Sequence, residues 1–485
     1  MLSSDVIFAQ SSAKGRSAIA LHRISGPGCR NLLAGALKAV RSTPTKTYSQ
    51  GADLKLQHSK ATYGYIVDLQ GEIIDDCIIT FFEGPRSYTG DDTIEIAAHG
   101  NPVISAKLHS LFRKLGGRDA LPGEFTQRAF LNGKLDLIRA EAIDQLIHAE
   151  TFGGIQIARS ASTGVVGMHA HEIRSRLISV LAYFEAHIDF AEDEVGSYDA
   201  ESCVTEMRSA SDMIRRLANS YASGLKMREG VKIAFIGEPN AGKSSLYNKL
   251  LGIERAIVTE IPGTTRDVLE ERFVIDNRDF ILSDTAGIRE TNDQVEKIGV
   301  ERSIECGKSA DVICLVIDPS KFQNIDFKVR YYDAIRRLEQ SIGQDKFAFK
   351  IVVLSKSDSW SEEIRSEIRL LKEETSHSNL NIVACSSKAH ALTELKIMLE
   401  KAYDEVVKLG TQSETPVLFS QRQFDKANLA ISTLDQAIEL ALNNEFPEKI
   451  ASNLIQTAQH LSELVGGIGT EDVLNEIFSS FCIGK

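Results

Sequence analysis

The spacing of hydrophobic positions changes along the chain, and each change predicts a different kind of structure. Residues 1–118 carry short apolar runs of strand character, broken by Gly and Pro: DVIFAQ, AIALHRISG, ATYGYIVD, EIIDDCIITFFEG and DTIEIAAHG. The segment VISAKLHSLFRKL, near 103–115, has helical spacing instead. The pattern predicts an N-terminal α+β domain.

Helical spacing dominates the two regions 119–226 and 406–485. In the first, apolar residues recur at i, i+3 and i+4, as in Leu135, Ile138, Ile143, Leu146 and Ile147. In the second, a stripe ends the chain: Val473, Leu474, Ile477, Phe478 and Phe481. This stripe predicts a final helix packed on the helical domain and stopped by Gly484, so that the closing segment FCIGK is anchored.

Between 227 and 405, apolar strands alternate with helices. The strands are VKIAFIG, DFILSD, DVICLVID, FKIVVLS and NIVACS. Near-continuous apolar strands interleaved with helices predict a mostly parallel sheet covered on both faces. The predicted fold is therefore multidomain, with an α/β domain inserted between two halves of a discontinuous helical domain.

Composition narrows the class of protein. Hydrophobic residues make up 43% and charged residues 25% of the 485, as in soluble globular proteins. The net charge of −12 gives no general attraction for phosphate backbones, so a nucleic acid would need a local basic patch or a second protein. Seven scattered cysteines, no signal peptide and no apolar run of 18 residues predict free thiols, a cytoplasmic location and no membrane span.

A phosphate-binding loop is indicated by GEPNAGKSS, at 237–245, which follows the strand VKIAFI and precedes a helical segment. Its glycines let backbone N–H groups wrap phosphates, Lys243 can reach the β and γ oxygens, and Ser244 can ligate Mg²⁺. The alternative is a Gly-rich turn with a surface lysine. The candidate nucleotide-binding residues are Asn240, Ala241, Gly242, Lys243, Ser244 and Ser245.

Two further motifs lie where a GTPase senses the γ-phosphate. DTAG follows the strand DFILSD and can supply a carboxylate near Mg²⁺ and an N–H group to phosphate; its residues are Asp284, Thr285, Ala286 and Gly287. GTTRD lies between this motif and the phosphate loop; its candidates are Gly263, Thr264 and Thr265. Either peptide alone would be weak evidence for a nucleotide site, and its position relative to the phosphate loop strengthens that evidence.

Base selection is predicted from SKSD, at 355–358. Asp358 can accept from the N1–H and the amino group of guanine together, which favours GTP over ATP. Ser355 stands where N-K-x-D sequences have Asn, and we expect a looser nucleotide affinity from this change. The remaining candidates are Lys356 and, in a possible contact to the guanine oxygen, Ser386, Ser387 and Lys388.

The order of these motifs resembles the Era-like GTPases. Five other segments, LHRISGPG, PRSYTGDDTIEIAAHGNPVI, RDALPGEFTQRAFLNGKLDLIRAEAIDQLI, AIDFAEDE and FSSFCIGK, resemble the MnmE (TrmE) family over essentially the whole chain. The resemblance implies an N-terminal folate-binding and dimerisation domain, a helical domain from both sides of the chain, and an inserted Ras-like P-loop GTPase domain.

The resemblance also implies a reaction and partners. The family acts as a homodimer with MnmG, a protein that uses FAD and NADH, in a heterotetramer. Together they add an aminomethyl or carboxymethylaminomethyl group at C5 of uridine 34 of tRNA. The carbon comes from 5,10-methylene-tetrahydrofolate, of which 5-formyl-tetrahydrofolate is an analogue. Carried over by motif, the folate-binding residues are Arg23, Glu95, Lys134 and Lys485.

Chemistry supports that set, although each charge alone could be a solvated surface residue. A pterin offers an N–H and amino edge to a carboxylate such as Glu95, and the glutamate tail suits Arg23 or Lys134. Ala98 and Asn101 stand where the family often has Gly, which affects the expected loop shape.

For hydrolysis, the resemblance implies K⁺ in place of an arginine finger, with two GTPase domains docked face to face. Thr265 and Ser244 match the Mg²⁺ ligands, and the K⁺ ligands match Asn240, Thr259, Ile261 and Thr264. Ile288 occupies the usual water-orienting position, and Glu296 matches the family's replacement. Two structural alternatives stay open: Asn240 could be a loop amide that stabilises its own turn, and Glu296 could be an exposed residue of a surface helix.

Cys482 is the residue whose role stays most open. It can be a nucleophile, a general acid/base group or a small buried side chain. Two rival functions also remain: a regulatory Era-like GTP switch in ribosome assembly, and a folate enzyme acting alone with a regulatory GTPase domain. The acidic composition argues against the first, because such a factor more often carries a basic RNA-binding module.

Overall fold

The structure, a computed structural model, describes residues 5–39, 55–190, 200–254, 271–282, 307–322, 327–342, 349–375, 381–386, 392–407, 416–467 and 471–484. The chain divides into two compact units. The first comprises residues 1–147, 161–212 and 429–485, and the second comprises 148–160 and 213–428. The domain boundaries predicted at 118, 226 and 405 stay predictions.

A mixed sheet forms the N-terminal part of the first unit. Among the described residues it has seven strands in the order β3–β4–β5–β6–β2–β1–β7. In chain order they are β1 (Ile7–Gln10), β2 (Ile19–Ser25), β3 (Leu37–Ala39), β4 (Ala61–Val67), β5 (Ile73–Phe82), β6 (Thr93–His99) and β7 (Arg118–Asp119). The antiparallel register of β2 and β6 places Arg23 opposite Glu95.

One face of this sheet is covered by a helix because alternate strand residues are apolar. Helix α2 (Pro102–Lys114) buries Leu108, Leu111 and Phe112 against Phe8 and Ile24. Asn101, a departure from the family pattern, caps α2: its side-chain oxygen accepts from the backbone N–H of Val103 at 2.8 Å. A short helix, α1 (Cys29–Leu33), adds to the same core.

The remaining helices of the first unit come from both sides of the α/β region. They are α3 (Glu124–Leu131), α4 (Leu137–His148), α6 (Val165–Asp189), α13 (Pro447–Val465) and α14 (Glu471–Ser479). The last residue of α4, His148, belongs to the second unit, and three further described helices contain residues of both units: α5 (Phe152–Ser162), α7 (Ala200–Glu229) and α12 (Gln421–Leu442). The discontinuous helical arrangement expected from the sequence is confirmed.

The final helix packs as its apolar stripe predicts. Leu474, Phe478 and Phe481 are buried against Leu137 and Ala140 of α4. The expected role of Gly484 is wrong, however, because α14 already ends at Ser479. Gly484 is needed for another reason: its φ is +93°, and a Cβ there would lie 2.7 Å from the Gln10 carbonyl oxygen.

The second unit contains a six-stranded sheet among its described residues, in the order β13–β12–β11–β8–β10–β9. Its strands are β8 (Val231–Gly237), β9 (Glu271–Ile275), β10 (Arg278–Leu282), β11 (Val312–Ile317), β12 (Phe349–Leu354) and β13 (Asn381–Ala384). The helices that follow the chain between them are α8 (Lys243–Glu254), α9 (Phe327–Ile342), α10 (Glu362–Thr375) and α11 (Thr393–Val407), with 3₁₀ turns at Pro319–Phe322 and Ser357–Ser359.

This sheet confirms the predicted α/β class, with all pairs parallel except the β9–β10 hairpin. Strand β9 was not predicted, because its apolar run, Phe273–Ile275, is short and follows two charged residues. The hairpin turns at Asp276 and Asn277, whose φ values of +46° and +60° match a tight two-residue turn.

Two expectations about the whole chain can be compared with the described residues. None of the helices described is long and apolar enough to cross a membrane. The six cysteines that the structure describes form no disulfide with one another, as their scattered spacing predicts. Cys306 lies outside that part of the chain.

Candidate functional site

The phosphate loop joins the end of β8 to the start of α8, as the motif predicts. Gly242 has φ +100° and Asn240 has φ +57°, so the loop uses left-handed backbone at two positions. Gly237 packs so tightly on the Val316 carbonyl that a side chain would collide with it. Because α8 begins at Lys243, the N–H groups of its first turn are available for an anion.

Lys243 lies against the carbonyl oxygens of its own loop. Its Nζ donates to Gly237 O at 2.8 Å and to Glu238 O at 2.9 Å. Burial, aided by the charge of Lys321, lowers the pKa of Lys243. The ammonium therefore lies in the loop where the phosphates of a nucleotide would bind. A charged phosphate oxygen would be a stronger acceptor for it than these neutral carbonyl oxygens.

Residues of the SKSD motif support the phosphate loop from the next strands. The buried hydroxyl of Ser355 donates to Ala241 O at 2.6 Å. Lys356 donates to Asn240 O at 3.2 Å and pairs with Asp318 at 2.6 Å. Burial alone would raise the pKa of Asp318, but hydrogen bonds from Lys356 and Ser320 bring it below its ordinary value. The base motif and the phosphate motif therefore form one hydrogen-bonded assembly.

The carboxylate predicted to select guanine is exposed and held from behind. Ser386, which is buried, donates from its hydroxyl to Asp358 Oδ1 at 2.6 Å. Trp360 Nε1 donates to Ser355 O at 2.9 Å and fixes the turn between them. The sequence predicts a contact from Ser386 to the base, and the structure adds a second use of its side chain, which is to orient Asp358.

We expect Ser355→Ala to weaken GDP binding by about tenfold, because a hydrogen bond that fixes the phosphate loop is lost and a buried carbonyl is left without it. Titration calorimetry on the full chain would measure the change. Ser359→Ala is the matched control, since its exposed hydroxyl donates only locally, to Lys356 O at 2.8 Å. Equal affinities of Ser355→Ala and the unaltered protein would contradict this role.

Several predicted nucleotide-site residues cannot be placed, because they lie outside the described residues: Thr259, Ile261, Gly263, Thr264, Thr265, Asp284, Thr285, Ala286, Gly287, Glu296, Ser387 and Lys388. Of those that the structure describes, Ser244 lies in the first turn of α8, Ser245 follows it, and Asn240 is exposed in the loop. Their metal and nucleotide roles stay predictions.

A second group of predicted residues meets on the sheet of the first unit. Arg23 donates from Nε and Nη2 to Glu95 Oε1, at 3.0 and 2.8 Å. The guanidinium also lies over the rings of Tyr88 and Phe125, 5.2 and 5.7 Å from their centroids. Because both bonds use Oε1, the other oxygen of Glu95 retains its capacity to accept from a ligand.

The C-terminal turn is bound to the same strands. Gly484 O accepts from the Ser11 hydroxyl at 2.9 Å and from Arg23 Nη1 at 3.5 Å. Gly123 donates its backbone N–H to Cys482 O at 3.3 Å. The half-buried Cys482 is thereby brought to the neighbourhood of Arg23. Lys485, the last candidate, lies outside the described residues.

Lys134 is connected to this group through a loop. Its Nζ donates to Pro85 O at 2.8 Å, and the nearby Asn132 donates from its side chain to Thr89 O at 2.7 Å. The loop between these two acceptors carries Tyr88, whose ring contacts Arg23. Lys134 is exposed, so its ammonium can also reach solvent or a ligand.

The aromatic residues around Arg23 and a nearby charged network were not predicted from the sequence. Burial raises the pKa of Tyr88, against the opposing hydroxyl of Thr126 and charge of Arg23. In the network, Glu124 receives hydrogen bonds from Arg118 at 2.6 Å and from Arg128 at 3.0 Å, and both arginines also bind Asp5. The i, i+4 spacing of Glu124 and Arg128 at a helix start is the signal that could have revealed it.

Comparisons with known proteins cover nearly the whole chain. A family model described as "GTP-binding protein TrmE N-terminus" matches residues 6–134, and one described as "MnmE helical domain" matches residues 137–482. Curated proteins named "tRNA modification GTPase MnmE" are also similar. That of Aquifex aeolicus is 38% identical over 97% of both chains, and that of Fervidobacterium nodosum is 35% identical over 100% of this chain and 98% of its own. That of Akkermansia muciniphila is 34% identical over 99% and 98%. This chain therefore belongs to the MnmE family of GTPases.

Proposed function

We propose that this protein is the GTP-hydrolysing component of tRNA wobble-uridine modification. One observation carries the proposal: the C-terminal turn with Cys482 is bound beside the Arg23–Glu95 pair, in a chain that also holds a complete phosphate loop. A simple GTP switch has no need for a thiol fixed beside a paired arginine and carboxylate. Family membership supplies the tRNA-modifying context.

In this proposal the phosphate loop, Lys243 and the first turn of α8 bind the triphosphate of GTP, and Asp358 selects guanine. Ser244 and Thr265 would hold Mg²⁺, which neutralises charge on the β and γ oxygens when bound. The Ser244 hydroxyl in the first turn of α8 and the exposed amide of Asn240 are oxygen donors suited to hard cations. By motif, Asp284 would contribute a carboxylate near Mg²⁺, Gly287 would donate its N–H to phosphate, and Glu296 would orient the attacking water.

The proposed arginine-finger replacement is K⁺, held by Asn240, Thr259, Ile261 and Thr264 while two GTPase domains of a homodimer meet. We expect kcat for GTP hydrolysis to fall by at least about tenfold when Na⁺ replaces K⁺ at equal ionic strength, because the smaller ion does not fit the same oxygen set. Stopped-flow turnover in the two salts measures this. Equal kcat values would rule the potassium mechanism out.

The folate part of the proposal uses the group around Arg23. Glu95 would accept from the pterin edge, whereas Arg23, Lys134 and Lys485 would bind the glutamate tail. A bound 5,10-methylene-tetrahydrofolate supplies the one-carbon unit. MnmG supplies the redox chemistry, and the product is the aminomethyl or carboxymethylaminomethyl uridine. Cys482 would act at this place as a nucleophile or proton donor.

Mass analysis of the wobble uridine in cells lacking this protein tests the proposal. We expect an unmodified C5 that returns to the modified form when the gene is restored. Normal modification in the deletion strain, together with a defect in ribosome assembly, would instead support the regulatory Era-like switch. A deletion strain complemented with Cys482→Ser separates the chemical role of the thiol from a packing role.

A further inference from the structure

The β9–β10 hairpin lies between two of the nucleotide motifs in the sequence. Strand β9 begins at Glu271, shortly after the GTTRD motif, and β10 ends at Leu282, shortly before DTAG. The hairpin is thus the described element between the two motifs expected to respond to the γ-phosphate. Each motif is joined to the hairpin by a short stretch of the chain.

Asp279 of this hairpin binds the first residues of a helix far away in sequence. Asp279 is 7% exposed, and its Oδ2 accepts from Phe152 N at 2.7 Å and from Gly153 N at 3.4 Å. These are free N–H groups of the first turn of α5, so Asp279 serves as an N-terminal cap from another element. Burial raises the pKa of Asp279, and the two N–H donors oppose that shift.

The segment before α5 is bound on two sides. On the hairpin side, Arg272 pairs with Glu150 at 2.9 Å. On the other side, the buried hydroxyl of Thr151 lies 2.8 Å from Met227 O and 3.0 Å from Arg228 O, near the end of α7. A Cβ at Gly153 would lie 2.6 Å from Met227 O, so the backbones touch there.

The end of α7 is itself connected to the phosphate loop. Helix α7 ends at Glu229, and β8, which leads into that loop, begins at Val231. The start of α5 therefore contacts both the end of α7, which precedes the strand that leads to the phosphate loop, and the hairpin that lies between the other two motifs. Both contacts belong to the second unit, and the last residues of the same helix, from Ala161, belong to the first.

We propose that the junction formed by Glu150, Thr151, Phe152, Gly153, Arg272 and Asp279 couples the nucleotide state to helix α5. Asp279 is its main positioning residue. A displacement of the hairpin is passed to the helix through the hydrogen bonds that Phe152 N and Gly153 N donate to Asp279, because a helix held by its first turn moves as a rigid rod. This proposal deepens the proposed function, on which its modification readout rests.

The test compares full-length Asp279→Ala and Asp279→Asn with Asp276→Asn. Asp276 is the matched control, because it lies in the same hairpin, is exposed and, among the described residues, pairs with the nearby Arg278 at 3.1 Å. Asn at 276 also tolerates the positive φ of that position. Asn at 279 keeps one acceptor oxygen for Phe152 N, so it should retain much of the coupling that Ala loses.

The first readout is hydrogen exchange of residues 152–160 with GDP and with GDP plus aluminium fluoride in K⁺. We expect the unaltered protein and Asp276→Asn to show a difference between the two states, and Asp279→Ala to lose it. A difference that persists in Asp279→Ala would overturn the proposal. An unaltered protein with no difference would overturn it as well.

The second readout separates this proposal from the proposed function. With MnmG and substrate tRNA, we expect Asp279→Ala to hydrolyse GTP within about twofold of the unaltered rate and to modify about tenfold fewer uridines per GTP. If the unaltered protein modifies no uridine, the proposed function fails while the exchange experiment still decides the coupling. Full modification per GTP by Asp279→Ala would refute the coupling alone.

Exchanging the charges of Arg272 and Glu150 tests whether a loss of coupling is only a folding defect. Arg272→Glu alone should reduce the nucleotide-dependent exchange difference, because it faces Glu150 with a like charge. Combining it with Glu150→Arg restores an opposite pair and should restore the difference. If the double variant remains as impaired as the single one, the pair takes no part in the coupling and the proposed junction is wrong in that part.

Discussion

Lys243→Met is expected to lower kcat for GTP hydrolysis by about two to three orders of magnitude, in line with the loss of one preorganised charged donor to a transition state. The ammonium lies in the phosphate loop, where two carbonyl oxygens hold it at 2.8 and 2.9 Å. Met preserves the length and apolar stem of the side chain and removes only the charge. Single-turnover hydrolysis at saturating enzyme separates this effect from weaker binding.

Lys321→Met is the control for that experiment. Lys321 donates to Pro239 O at 2.7 Å, in the same loop, but its chain position outside the motif gives it no expected contact with phosphate. Its removal also takes away a neighbouring positive charge that lowers the pKa of Lys243. We therefore expect Lys321→Met to hydrolyse GTP within about twofold of the unaltered rate. A similar loss in both variants would mean that loop stability, rather than charge on phosphate, explains the effect.

Arg23→Met is expected to weaken binding of 5-formyl-tetrahydrofolate by about 10- to 100-fold, because hydrogen bonds to a charged group are lost and Glu95 is left without its partner. Glu95 is largely shielded from water, with 24% of its side chain exposed, so it cannot recover the interaction fully from solvent. GTP hydrolysis should be unchanged, since Arg23 belongs to the first unit and the nucleotide motifs belong to the second. Calorimetry and tRNA modification in complemented cells measure the two consequences.

Arg113→Met provides the matched control. Arg113 also pairs with a carboxylate, Asp119, at 2.6 Å, and it lies in the same unit, but both partners are more than half exposed. An exposed pair of this kind contributes little, so folate affinity and thermal stability should both stay close to normal.

Unaltered folate affinity in Arg23→Met would remove Arg23 from the ligand site. Arg23→Lys should fail to rescue, because an ammonium cannot donate in the planar geometry of a guanidinium.

Local patterns in the sequence were sufficient for most of the fold. The strands around the phosphate loop and the final apolar stripe could be predicted because burial imposes a period on each element. Strand β9 could not be predicted, since it lies at the edge of the sheet and its apolar run is too short to give a clear strand pattern. The role of Gly484 was also misjudged: a glycine near a helix end suggests a stop signal, and only the structure shows the Gln10 backbone against it.

The nucleotide motifs and the family of this chain were determined by the sequence alone, because phosphate and base recognition require particular residue types at short, fixed spacings. What only the tertiary structure decided is which distant residues meet. Arg23 faces Glu95 through strand register, Cys482 reaches them because Gly484 fits against Ser11, and Asp279 caps a helix more than a hundred residues away. Such contacts depend on how whole elements pack, and packing joins residues whose separation along the chain carries no periodic signal.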